Sequence, residues 1–218
     1  MFSLFLENKK QPLKRILCLG AHCDDIEIGC GGTILRLLHD YPELEVDWIV
    51  FSSNPARKRE AVKAARLFLK DCTASRVRIF GFRDSFFPTE RKKLKETVQK
   101  IRKQTSPDLI FTHFRNDLHQ DHRIINEFTW NAFRDHLILE YEIPKYDGDL
   151  GSPNLFVSLD EAACRTKVDH ILAAFTSQAT KPWFTEDTFR ALMRIRGVES
   201  GSKEKFAEAF YCRKACIE

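Results

Sequence analysis

The stretch Arg15-Ile16-Leu17-Cys18-Leu19-Gly20-Ala21-His22-Cys23-Asp24-Asp25 decides how this chain is read. Its first part is continuously apolar rather than alternating, the pattern of a parallel strand covered on both faces. It then breaks into histidine and paired aspartates. Much further along, Asp108-Leu109-Ile110-Phe111-Thr112-His113 is a second apolar run, and His119-Gln120-Asp121-His122 follows it. Two strands thus each deliver an Asp/His cluster at or just past their C-terminal ends. Open parallel sheets bind ligands at that edge. Carboxylate oxygen with imidazole nitrogen, and no closed four-cysteine set, is the ligand mix of a catalytic zinc site rather than a structural one. The pattern implies a metal-dependent hydrolase.

Outward from these two runs, strand and helix patterns alternate. Arg15 to Ala21, Val46 to Phe51, Arg76 to Phe82 and Asp108 to His113 read as strands. Helical spacing follows each of them, over Ile28–His39, Pro55 to about Leu69, Pro88 to about Gln104, and about His119 to Phe133. Four such alternations predict an α/β fold: a Rossmann-like open, mainly parallel sheet with helices on both faces. After residue 135 the pattern changes to short strands over 137–141 and 155–158. Helices over Glu161–Ser177 and Pro182 to about Arg196 follow, then a last strand over 209–212. No linker or repeat divides the chain. Residues 1–218 are read as one domain, with a core over about 14–135 and a pocket-shaping part over about 136–218.

Bulk properties narrow the function. With 43% apolar and 30% charged residues, the 218-residue chain has ordinary globular composition, which excludes long disorder. The net charge of +4 is mild. Its surplus sits in Arg57–Arg66 and Arg91–Lys103, where solvated helix faces account for it without a nucleic-acid partner. No continuous apolar run of about 18 residues could span a bilayer. Met1 to Gln11 lacks the apolar stretch of a secretory leader. Seven scattered cysteines, an odd number, then read as reduced thiols of a cytoplasmic protein. A homo-oligomer remains open.

The two clusters supply the parts of a hydrolytic site. Asp24 and Asp25 are adjacent in a loop, so their side chains diverge; one can bind a metal while the other faces a bound water. His119 and His122 stand three apart at a helix start, which brings them to one face. Three protein ligands plus water is the usual catalytic zinc arrangement. A free carboxylate beside that water serves as general base, and a further polar group stabilises the oxyanion.

Ala-His-x-Asp-Asp-x-Glu-x-Gly-Cys-Gly-Gly-Thr after the first strand, joined to His-x-Asp-His after the fourth, resembles the PIG-L/LmbE-like zinc-dependent N-acetylglucosaminyl deacetylases. The likeness continues in Arg57-x-x-Glu60, in Thr112-His113 and Asp117, and in Arg196-Gly197 with Ala207-Glu208-Ala209-Phe210. It implies that His22, Asp25 and His122 hold Zn2+, or another divalent ion such as Fe2+, and that Asp24 is the general base. His119 matches the histidine that polarises the amide carbonyl or protonates the leaving amine. Asp121 matches the carboxylate that orients and charges that histidine, and Arg57 a substrate-contacting arginine. The implied substrate is a small amino-sugar conjugate, losing its N-acetyl group as acetate.

Cys23 stands where that family typically has proline, and is expected to point away from the metal. It motivates one alternative, a non-catalytic sugar- or nucleotide-binding domain; an esterase or other amidase on the same metal is another. Gly29-x-Gly31-Gly32 is read as tight helix–sheet packing rather than a phosphate cradle. His113 is read as supporting or structural, and Glu27 as a cap of the following helix. Arg196 is divided between reaching substrate and anchoring the C-terminal segment.

Overall fold

The computed structural model describes residues 13–216; Met1 to Gln11, read above for a leader, falls outside them. Within these described residues, seven strands form one sheet: β1 Arg15–Gly20, β2 Glu45–Ser52, β3 Ala74–Phe82, β4 Leu109–His113, β5 Leu137–Tyr141, β6 Leu155–Leu159 and β7 Phe206–Cys212. Their order is β3-β2-β1-β4-β5-β7-β6. The first five are mutually parallel, and β7 runs antiparallel to both β5 and β6. Among the described residues, six α-helices accompany them: α1 Asp25–Asp40, α2 Pro55–Phe68, α3 Arg91–Gln104, α4 Gln120–Ala132, α5 Glu161–Ala174 and α6 Glu186–Glu199.

The uninterrupted apolar run of β1 has a direct structural cause. Successive side chains point to opposite faces, and both faces are covered. Ile16 and Cys18 enter a core with side chains of α1, α2, α5 and α6. Leu17 and Leu19 enter a second core with Leu94, Val98 and Ile101 of α3 and Ile124, Ile125 and Phe128 of α4. Leu109, Ile110 and Phe111 of β4 divide between the cores in the same way. Burying each such aliphatic side chain contributes roughly 1.5–3 kcal/mol.

Chain order reverses between β1 and β4, so the crevice of the sheet opens beyond their C-terminal ends. That is where both Asp/His clusters lie. The C-terminal third adds β6 and β7 to the same sheet and packs α5 and α6 onto the α1 side.

Several element boundaries differ from the sequence reading, among them the start of β7, which lies at Phe206 rather than 209. α1 begins at Asp25 rather than Ile28, so its glycines lie inside the helix. Pro88 belongs to a 3-10 turn, Phe87–Thr89, and α3 starts after it. α5 stops at Ala174, with a separate 3-10 turn over Thr176–Gln178. α6 starts at Glu186 instead of Pro182, because the Thr185 hydroxyl accepts the Thr188 amide and caps the helix there.

The glycine run does serve close packing. A Cβ on Gly29 would stand 2.2 Å from the Tyr141 ring, and one on Gly31 would stand 2.6 Å from Phe68.

Candidate active site

The turn after β1 aims His22, Asp24 and Asp25 into a cleft of about 700 Å³, which His119 and His122 enter from the start of α4. His22 Nδ1 lies 3.1 Å from His122 Nε2 and 3.5 Å from Asp25 Oδ2, and His122 Nε2 lies 3.5 Å from Asp25 Oδ1. Bonds of 2.0–2.1 Å to a tetrahedral zinc ion place ligand atoms about 3.3 Å apart. The donor types suit such an ion, and each pair lies near that spacing, with the two histidines facing different oxygens of Asp25.

Proton positions agree with this. A carboxylate only accepts hydrogen bonds, so His122 Nδ1 and His22 Nε2, each held by aspartates outside the cluster, carry the protons. His122 Nδ1 donates to Asp117 Oδ2 at 2.9 Å, leaving the Nε2 lone pair free. His22 Nε2 faces Asp84 Oδ1 at 3.1 Å and Asp121 Oδ2 at 3.3 Å, leaving Nδ1 for the cluster. Burial, reinforced by the neighbouring His113, pushes His122 down to about 3, so it is neutral. Burial also depresses His22, but the carboxylates of Asp25, Asp121 and Asp84 outweigh it and raise it well above the ordinary value. Those carboxylates call for a cation at this point, and either a proton or a metal ion supplies it.

Further sets of possible ligands overlap this one. His119 joins His22 and His122, and His113 joins Asp25 and His122. His113 is fully buried at the end of β4, with Nε2 3.1 Å from Asp25 Oδ2 and 2.9 Å from the Ala21 amide nitrogen. It stacks on His122 at 3.9 Å. Its position behind Asp25 suits the supporting part read for it.

Asp24 is buried and pairs with Arg57 Nη2 at 2.9 Å. Burial raises the Asp24 carboxyl, while the Arg57 guanidinium opposes that rise. Arg57 also bonds Glu60 Oε2 at 2.8 Å, and its guanidinium lies 5.2 Å from the centre of the Phe175 ring. It lines the cleft but is tied to Asp24 and Glu60.

Asp121 has a different partner from the one expected. Its carboxylate accepts the Ser85 amide at 2.7 Å and the Phe87 amide at 3.2 Å, and faces His22. The bond it shares with His119 runs from the Asp121 amide to His119 Nδ1 at 3.2 Å. His119 is thus the N-cap of α4, and its carboxylate neighbour is spent on the β3–α3 loop. Since Nδ1 accepts an amide proton, a neutral His119 carries its own proton on Nε2. Burial, with His22 nearby, lowers His119 below its ordinary value and favours that neutral form.

Cys23 points away from the cluster, its thiol donating to Ser52 O at 3.3 Å. Burial pushes that thiol up to about 12, so it remains protonated. Glu27 is no cap: it is fully buried, and neither carboxylate oxygen has a hydrogen-bond partner among the described residues. Arg196 anchors the C-terminal segment, gripping Glu142 with two 2.7 Å bonds.

Asp84 and Lys145 escaped the sequence reading. Asp84 follows the end of β3, and its neighbour Ser85 adopts a left-handed φ of 64° while its amide donates to Asp121. Lys145 reaches Asp117 Oδ2 at 3.0 Å from the loop after β5. Asp84 lies at the C-terminal edge of a parallel strand, a position that could have marked it. Nothing local marks Lys145.

The fold matches the conserved protein TT1542 from Thermus thermophilus at 21% identity and TM-score 0.72, covering 94% of this chain and 97% of that one. It also matches N,N'-diacetylchitobiose deacetylase from Pyrococcus horikoshii (20% identity, TM-score 0.68, 91% and 83% covered). A third match is GalB, the 4-carboxy-2-hydroxymuconate hydratase of Pseudomonas putida (15% identity, TM-score 0.69, 94% and 98% covered). At these identities the likeness is one of fold. Among the described residues, no helix is long and apolar enough to cross a membrane. The sequence itself matches the family described as PIG-L, GlcNAc-PI de-N-acetylase, over residues 17–133. That match takes in more than half of the 218 residues and both Asp/His clusters, and the chain belongs to the PIG-L family.

Proposed function

We propose that this protein is a metal-dependent N-deacetylase, acting on an N-acetylated amino sugar carried by a small conjugate and releasing acetate and a free amine. One observation carries the reading. His22 Nδ1, His122 Nε2 and the Asp25 carboxylate converge at ligand spacing, in the cleft that a buried Asp24 also lines. Family membership and the deacetylase among the fold matches support the same chemistry.

His22, Asp25 and His122 would hold the ion; zinc suits two imidazoles and one carboxylate. Bound there, a divalent ion supplies Lewis acidity that brings a water's pKa towards neutrality and polarises the acetyl carbonyl. Asp24 accepts the proton of the attacking water and later delivers it to the departing amine. His119, with its proton on Nε2, donates to the carbonyl oxygen as negative charge develops there. Asp121 contributes indirectly, orienting His22 and the loop that carries Asp84. Arg57 keeps Asp24 in place and lines the floor on which the sugar rests.

The test is acetate release from N-acetylglucosamine glycosides before and after removal of metal with a chelator. Activity that falls on chelation and returns with Zn2+ supports the proposal. Equal rates in both states overturn it. Parallel assays on O-acetyl analogues separate an amidase from an esterase.

A further inference from the structure

Two features take no part in this chemistry: the glycine run of α1 and the Ala207-Glu208-Ala209-Phe210 stretch of β7. They meet inside the protein. α1 is broken at Cys30, whose φ of −144° and ψ of 15° lie outside the helical region. The break divides a short first segment, bearing Asp25 and Ile28, from a longer one beginning at Gly31. In an unbroken helix, Gly32 N–H and Ile28 C=O are donor and acceptor of one i→i−4 bond. Here each has an ionic partner. Gly32 N–H donates to Glu208 Oε1 at 2.8 Å, and Thr33 N–H donates to Glu208 Oε2 at 2.6 Å. Lys167 Nζ, from α5, donates to Ile28 O at 2.6 Å and to Glu208 Oε1 at 2.6 Å.

The carboxylate thus caps the N-terminus of the second segment, where a helix attracts negative charge, and the ammonium caps the C-terminus of the first. Both side chains are 3% exposed. A Cβ on Gly32 would lie 3.0 Å from Glu208 Oε1 and 2.5 Å from Leu159 Cδ1. The absence of a side chain there is what lets the carboxylate reach the backbone. The first segment, released from the direction of the second, presents Asp25 to the histidines and Ile28 to the cleft wall.

We infer that Lys167 and Glu208 are positioning residues for the metal site, holding the break in α1 that aims Asp25 at His22 and His122. The inference rests on the metal reading above. Removing one member alone would strand the other's charge in the interior, so the informative variant neutralises both: Lys167→Met with Glu208→Gln. The control is Val168→Ala, which opens a cavity on the same helix but leaves both ionic groups in place.

Zn2+ affinity is measured by competition with a chromophoric chelator, and the ligand-field spectrum is recorded with Co2+. Both are taken at a temperature where circular dichroism shows each protein folded. Changes in groups that orient metal ligands typically weaken binding about 10- to 100-fold. That loss, with an altered Co2+ spectrum, is expected in the double variant, while Val168→Ala keeps wild-type affinity. Wild-type affinity and spectrum in the double variant overturn the inference, as does an equal loss in Val168→Ala. Should the double variant not fold, Glu208→Asp, which keeps a charge opposite Lys167 but draws the carboxylate back from the Gly32 and Thr33 amides, is judged by the same criteria. Wild-type protein that binds Zn2+ no better than His122→Ala removes the metal reading itself, and this inference with it.

Discussion

Asp24 and Arg57 form a 2.9 Å ion pair that ties the turn after β1 to the first turn of α2. The pair engages one carboxylate oxygen through Arg57 Nη2. It gives the proposed base a fixed orientation without occupying both of its acceptors. Asp24→Asn keeps the shape but removes the basic oxygen. We expect it to retain metal and fold while losing about 10²–10⁴ in kcat, the usual contribution of a general base. Near wild-type turnover in that variant would show that Asp24 is not the base.

His122 lies at the centre of the cluster, close to both His22 and Asp25 and oriented by Asp117. His122→Ala deletes one of three proposed ligands, and a two-ligand site does not hold a labile ion through dialysis. Elemental analysis of the dialysed variant should find little zinc beside a loaded wild type. Full occupancy would contradict the ligand assignment.

Gly29→Ala sets two effects against each other. Alanine is favoured over glycine within a helix by about 1 kcal/mol. The new methyl, however, would sit 2.2 Å from the buried Tyr141 ring, and overpacking of this kind costs about 1–3 kcal/mol or more. We expect a net fall in Tm. Gly81→Ala, whose Cβ would meet nothing closer than 4.0 Å, should leave Tm nearly unchanged. Equal effects of the two substitutions would refute this account of the glycine run.

Glu60 links Arg57 to the turn after α5. Burial raises its carboxyl, but hydrogen bonds from the Ser177 amide and hydroxyl and from Arg57 outweigh burial and hold it below the ordinary value. A carboxyl lowered by folding stabilises the protein above its unfolded pKa, about 4.3. That contribution fades as the pH drops through the folded value. Wild type should therefore exceed Glu60→Gln in Tm at pH 7, with the gap closing below about pH 4. Thermal scans showing a gap that widens in acid would have the wrong sign.

The sequence alone determined the layout of the fold. Apolar runs in β1 and β4 required a sheet covered on both faces, and the alternation with helices made its first five strands parallel. The chemistry-bearing residues were legible because chain order puts the ends of β1 and β4 side by side. Tertiary structure decided what local pattern could not. Asp121 faces His22 because the loop after β3 folds back to donate two amides to it, a contact across more than 30 residues. Lys145 and Lys167 are ordinary charged residues in the sequence, and Glu208 is marked there only by the stretch around it; the meaning of all three comes from what they meet in the interior. Periodicity records which face of an element is buried. The pairing of buried charges depends on where distant elements come to rest, and only packing fixes that.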